Sequence, residues 1–89
     1  MKTAKLIVGN EHGLNLSAAN MIVNLLDHYD VEVSFISGGR QVNAKSLVDI
    51  LSLAASYGTI LTVELSGDDS EAAFVELKQL FEDNFGEDD

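Results

Sequence analysis

From Lys2 to Val8 the chain alternates, with Ala4, Leu6 and Val8 on one side, the pattern of a half-buried strand. Gly9 to Gly13 breaks that pattern with Asn10, Glu11 and His12. A helical period then runs through Ala18, Ala19, Ile22, Val23 and Leu26 and predicts a helix that ends near His28. Val31, Val33 and Phe35 alternate with Glu32, Ser34 and Ile36, and Gly38-Gly39 is a two-residue hairpin turn into Arg40 to Ala44. Ser46-Leu47-Val48-Asp49 matches a capping box in acidic form: the serine oxygen receives an orphan amide, and the acid favours the positive helix end. A short second helix is predicted from there, ending before Gly58. Thr59 to Ser66 alternates again, with Leu61, Val63 and Leu65 on one face. Gly67-Asp68-Asp69 turns the chain, and Asp68 with Glu71 predicts an acidic cap before the Ala73, Leu77, Leu80 and Phe81 stripe of a last helix.

The resulting order, βαββαβα, places the chain in the α+β class. Each helix has one apolar stripe and the sheet one apolar face, so burying both predicts an open-faced sandwich: a four-stranded antiparallel sheet covered by three helices. Ferredoxin-like folds share much of this order, so element order alone leaves the topology open. With 89 residues and no visible repeat or linker, a single domain spanning 1–89 is expected. Residues 82–89 read as an acidic tail that frays.

Composition narrows the function. A chain that is 46% hydrophobic and free of proline is expected to fold. The absence of cysteine excludes a disulfide framework, a thiolate metal site and a cysteine nucleophile, and it suits a reducing compartment. The apolar stretch ending at Val8 is too short for a signal peptide, and no run approaches a membrane span, so a cytoplasmic protein is expected. A net charge of −10 argues against nucleic acid and anionic membrane as partners and favours proteins instead. No paired acid and base, glycine-rich phosphate loop or metal-ligand cluster is present, so neither an enzyme, a cofactor nor a small-molecule substrate is expected. His12 and His28 lack companions at ligand spacing, so no metal is expected, and His28 more simply complements the negative helix end.

Two segments carry a family likeness. Gly13-Leu14-Asn15-Leu16-Ser17-Ala18-Ala19 resembles G-L-H-[TA]-R-P-A, the active-site pattern of the histidine-containing phosphocarrier family, HPr. Asn43-Ala44-Lys45-Ser46-Leu47 resembles the segment around that family's regulatory serine. The spacing between the segments agrees, and Leu47 to Leu53 followed by Gly58-Thr59 continues the match without a gap. The resemblance implies the HPr fold for nearly the whole chain. It also implies that Asn15 occupies the position of the phosphorylated histidine. An amide has no basic, nucleophilic lone pair at neutral pH, so phosphocarrier chemistry is not expected there. Ser17 stands where the family has its arginine and Ala18 where it has proline, so the charge that favours phosphate has gone too. Read from the residues alone, Asn15 is a helix N-cap. His12, in the loop before the helix, is the alternative phospho-acceptor or else an exposed loop histidine.

Ser46 is the regulatory phosphorylation candidate that the resemblance implies. In the Gram-positive branch the matching serine is phosphorylated by a dedicated kinase and the product acts as a corepressor; a catabolite-repression HPr likewise lacks the histidine and keeps the serine. A phosphate there gains from free amides and from Lys45 nearby, and is opposed by Asp49 across the first turn. A Ser46 cap that is never modified stays open as the alternative. Leu47, Val48 and Leu51 are either an apolar docking patch or the buried face of the helix. Helical spacing assigns Leu47, Ile50, Leu51 and Ala54 to the core and leaves Val48 as the exposed anchor. The partner-binding candidates are Asn15, Ser17, Lys45, Leu47, Val48 and Leu51. The expected function is that of a regulatory or adaptor protein of the phosphotransferase system without histidine phosphocarrier activity, linked to regulation of sugar transport and catabolite repression, with sugar and nitrogen regulation both left open; the alternative is a phosphocarrier that relays phosphate through His12. Its expected partners are an HPr-kinase-like kinase, a transcriptional regulator or a component of that system.

Overall fold

The computed structural model describes residues 1–87. Its elements are β1 (Lys2–Ile7), α1 (Leu16–Leu26), β2 (Glu32–Ser37), β3 (Arg40–Asn43), α2 (Leu47–Leu53), β4 (Ile60–Ser66), α3 (Ser70–Glu82) and a terminal 3₁₀ turn (Asn84–Gly86). The strands form one antiparallel sheet in the order β1-β4-β2-β3, so the last strand is inserted between the first two and β1 lies at an edge. Leu6 sits opposite Leu61 and Ala4 opposite Val63, while Val33 faces Leu65 and Phe35 faces Val63 on the other side of β4. This register lines up the apolar alternation of all three strands on one face, which the helices cover. A one-residue slip would expose the whole set.

The core is built from those strand residues, the half-buried Ala4 excepted, together with Ala18, Ala19, Ile22 and Leu26 of α1, Ile50 of α2, and Ala73, Leu77 and Phe81 of α3, all buried. Leu80 is half-buried against this core rather than within it. The opposite face of the sheet stays open to solvent, as antiparallel sheets allow.

Three expectations are corrected. The cap of α3 is Asp69, not Asp68, and its side chain does not bond its own helix: Asp69 Oδ2 accepts from Asp30 N at 2.7 Å, and Asp69 N donates to Asp30 O at 3.1 Å. The carboxylate thus fastens the start of α3 to the loop before β2. On α2, Leu51 is 37% exposed and Ala54 is exposed outright, against their assignment to the core. The helix has seven residues and stops at Ala54, whose φ of 53° turns the chain out of the helix, so its stripe ends with Ile50 and the half-buried Leu53. The acidic tail does not fray at Glu82: Phe85 is buried, its ring 4.8 Å from that of Phe81, which in turn meets Phe35 edge-on at 6.1 Å. Burial of Phe85, with its edge-on contact to Phe81 of about 1 kcal/mol, outweighs the cost of ordering the turn. Residues 88–89, the end of that expected tail, lie outside the described residues.

Candidate functional site

The site grows from the loop between β1 and α1. Gly13, at φ +68°, turns the chain so that Leu14 N donates to Ala55 O at 2.9 Å and the Leu14 side chain is buried. Asn15 then enters extended (φ −80°, ψ −176°), and its Oδ1 accepts from Ala18 N at 2.9 Å, satisfying an orphan amide of α1. The expected cap is therefore observed, and it occupies the acceptor oxygen of the amide. Behind the loop lies Asn10, fully buried, whose Nδ2 donates to Gly13 O at 2.7 Å and to Glu87 Oε2 at 2.8 Å. His12 is exposed at the tip of the loop, and Ser17 is exposed in the first turn of α1.

α2 lies beside α1, and the two run antiparallel. The Leu14–Ala55 bond joins the start of α1 to the end of α2. At the far end, Lys45 Nζ donates to Tyr29 O at 3.0 Å, tying the residue before the N-cap of α2 to the chain leaving α1. His28, at that same end, lies 2.8 Å through Nδ1 from Asn24 O, one of the last carbonyls of α1. Ser46 caps α2, its Oγ accepting from Asp49 N at 3.3 Å. The reciprocal arm of the capping box is redirected: Asp49 Oδ2 accepts from Asn43 N at 3.1 Å and so links the helix to β3. Asn15 and Ser46 consequently stand at opposite ends of α2, about 10 Å apart along its axis from the rise per residue. They do not form one constellation.

The partner-binding candidates separate by exposure. Leu47 is half-buried against the core, whereas Val48 is 74% exposed. Leu16 and Met21 on α1, with Leu51 on α2 and Tyr57 beyond it, are further exposed apolar side chains close to this surface in the chain. Leu16 and Met21 carried a legible signal, since both fall off the Ala18, Ala19, Ile22, Leu26 stripe. Asn10 and Glu87 carried none: a polar residue in a loop and an acid in a tail give no sign that the fold brings them together. Among the described residues no group of side chains is placed to hold a metal ion. No helix among them is long and apolar enough to cross a membrane.

The family described as the PTS HPr component phosphorylation site matches residues 2–83. The chain belongs to the HPr family. Proteins of this family are phosphocarriers rather than enzymes, and they act with protein components of the phosphotransferase system. The chain is 38% identical over 84 residues to the phosphocarrier protein HPr of Xylella fastidiosa strain 9a5c, covering 94% of each. Its fold superposes on the crystal structure of HPr-C-His from Thermoanaerobacter tengcongensis with a TM-score of 0.94 and 32% identity, over 99% of both chains. It also resembles the Bacillus subtilis catabolite repression protein Crh, described as a swapped-domain dimer, with a TM-score of 0.75 and 30% identity over 94% of this chain and 97% of that one.

Proposed function

We propose that this HPr-family chain is a regulatory or adaptor protein of the phosphotransferase system that carries no phosphate on a histidine and is switched by phosphorylation at Ser46. The observation that carries the reading is Asn15. It stands where the family resemblance puts the phosphorylated histidine, and its side chain is spent on capping α1 through the 2.9 Å bond to Ala18 N. Neither amide atom has the nucleophilicity that phosphoryl transfer requires. Ser17 and Ala18, in place of the arginine and proline, agree with a site released from that chemistry.

The docking surface of the adaptor is the pair α1 and α2. Val48 is its apolar anchor at the start of α2, with Lys45 before it and Leu51 one turn on, and the exposed Leu16 and Ser17 with Asn15 mark the other end of the surface, at the start of α1. Aliphatic side chains exposed on two packed helices fit recognition by an apolar patch on a protein partner. Likeness to the catabolite repression protein Crh supports a place in catabolite repression, with an HPr-kinase-like kinase and a transcriptional regulator as partners, and the cytoplasm as the location.

Intact-mass analysis tests the reading, after incubation in parallel with enzyme I plus phosphoenolpyruvate and with HPr kinase plus ATP. The expected result is one stable phosphate from the kinase alone, mapped to Ser46 and lost in Ser46→Ala. An acid-labile phosphate on His12 from enzyme I would overturn the non-carrier reading in favour of relay through that exposed histidine.

A further inference from the structure

β1 is an edge strand whose outer side pairs with nothing among the described residues. Val8 N donates to Thr59 O at 2.9 Å and Gly58 N donates to Val8 O at 2.7 Å, so Val8 bonds toward the β4 side. Antiparallel alternation then turns the amides and carbonyls of Leu6, Ala4 and Lys2 toward β4 and directs those of Thr3, Lys5 and Ile7 outward. Alongside this edge runs α3, fastened to β1 by the 3.2 Å ion pair from Lys2 Nζ to Glu71 Oε1 and by the Lys2 ammonium 4.8 Å over the Phe74 ring. Between them lies a groove of about 240 Å³ lined by Lys5, Leu6, Ile7, Lys78, Phe81 and Glu82. A free row of backbone donors and acceptors beside a helix is the geometry into which an extended segment adds as a further strand.

Charge selects the occupant. The chain has five lysines and arginines against fifteen acids. Lys2 is paired with Glu71, Arg40 donates to Ser52, and Lys45 donates to Tyr29. Among the described residues Lys5 and Lys78 make no hydrogen bond or ion pair, and both line this groove. A surface of net charge −10 repels an acidic segment nearly everywhere else. A second copy of the chain is disfavoured, because pairing two β1 edges about Lys5 brings lysine against lysine, and lysines on an edge are a device natural sheets use against self-association.

We propose that the β1 edge docks an extended acidic segment of a partner protein, which adds as a fifth strand. Side chains of an added strand alternate between the two faces, so one carboxylate meets Lys5 on the open face and its neighbour meets Lys78 on the helix face. Glu82 lines the same groove on α3, one turn beyond Lys78, and restricts the acidic pair to the Lys5–Lys78 stretch. This surface is separate from α1 and α2, so it stands whatever becomes of the adaptor reading.

The experiment is a titration of the ¹⁵N-labelled protein with a capped peptide of valine and threonine carrying two adjacent glutamates at its centre, against the same peptide with lysines instead. The expected result is chemical-shift change confined to β1 and the Lys78–Glu82 flank, with amide exchange slowed at Thr3, Lys5 and Ile7. Reversing both charges, Lys5→Glu with Lys78→Glu, is expected to weaken the glutamate peptide by about tenfold and to make the lysine peptide the better ligand. Both lysines are exposed, and an unchanged amide spectrum elsewhere certifies the fold of the variant. The proposal is overturned by no binding at millimolar peptide, by shifts centred on α1 and α2, or by equal binding of both peptides to the wild type. Edge protection that rises with protein concentration in the absence of peptide overturns it in favour of a second copy.

Discussion

Asn10 Nδ2 donates to Glu87 Oε2 at 2.8 Å, a bond that spans 77 positions of sequence and joins the loop before α1 to the last described turn of the chain. The match is incomplete, because Asn10 Oδ1 and Glu87 Oε1 are both buried without a hydrogen-bond partner among the described residues. Each of these acceptors leaves its desolvation uncompensated, at about 1 kcal/mol or more apiece. Glu87→Gln keeps one oxygen to accept from Asn10 Nδ2 and puts an amide in place of the unpartnered Oε1, a donor where the pair has only acceptors to spare. It is expected to raise unfolding stability by about 1 kcal/mol, whereas Glu87→Ala, which removes the acceptor, lowers it by a similar amount. Urea midpoints at constant slope measure both, with Glu11→Gln on the exposed loop as the control for loss of one negative charge. Equal effects for Gln and Ala would show that the bond contributes nothing.

Gly13 tests how tightly that loop is held. A Cβ there would lie 2.6 Å from Ala55 O, and the φ of +68° is costly for any side chain. Both faults fall on backbone that receives the Leu14 bond, so nothing can yield cheaply. Gly13→Ala is expected to cost about 2 kcal/mol or more in stability. Gly38 has a similar φ of +57° but open space around its Cβ position, so Gly38→Asn should cost only a few tenths, about the αL penalty of asparagine. Thermal unfolding of the two variants separates steric contact from conformational preference.

Strand placement was legible because burial on one face imposes a period of two, and Leu61, Val63 and Leu65 obey it without exception. The N-caps Asn15 and Ser46 were legible for a related reason: capping is local, and both partners lie within one turn. Side chains that act across the fold were not. Asp49 was read as the second arm of a capping box and instead accepts from Asn43 N; Asp69 was passed over for Asp68 because its partner, Asp30, lies 39 positions away. Lys45 was placed beside Ser46 by sequence, yet its ammonium is drawn to Tyr29 O. Phe85, a lone aromatic in an acidic run, is the one tail residue whose chemistry argued against fraying.

Ser46 and Asp49 offer a direct test of how the fold tolerates charge at the cap. The 3.3 Å bond from Asp49 N to Ser46 Oγ is the whole of the side-chain cap on α2, so Ser46→Ala is expected to cost about 1 kcal/mol. Ser46→Asp restores an acceptor but sets a carboxylate near that of Asp49. In an Asp49→Asn background the acceptor for Asn43 N is kept and the repulsion removed. The cost of Ser46→Asp should therefore fall by about 0.5 kcal/mol between backgrounds, read as the coupling energy of a double-mutant cycle. Zero coupling would mean that Asp49 places no electrostatic limit on a negative group at Ser46.

Tyr29 links the end of α1 to α3 by donating its hydroxyl to Glu76 Oε2, while its ring packs against the core. That hydrogen bond, followed by desolvation and the negative charges of Glu76 and Asp69, raises its pKa above the usual phenol value. The neutral phenol is the form the fold favours, so between the unfolded value near 10 and the higher folded value the native state holds more protons than the unfolded one. The stabilisation is complete below about pH 10 and is lost as pH rises through the folded pKa. Tyr57→Phe leaves Tyr29 as the sole tyrosine of the two, so absorbance at alkaline pH reads it directly. In that background the titration is expected above pH 10, and Glu76→Gln should shift it downward by removing the charged acceptor and its field. Unfolding midpoints followed upward from pH 10 should fall less steeply in Tyr29→Phe than in the wild type, since only the wild type has this phenol to ionise. A titration unmoved by Glu76→Gln would mean that the Tyr29–Glu76 bond is not maintained in solution.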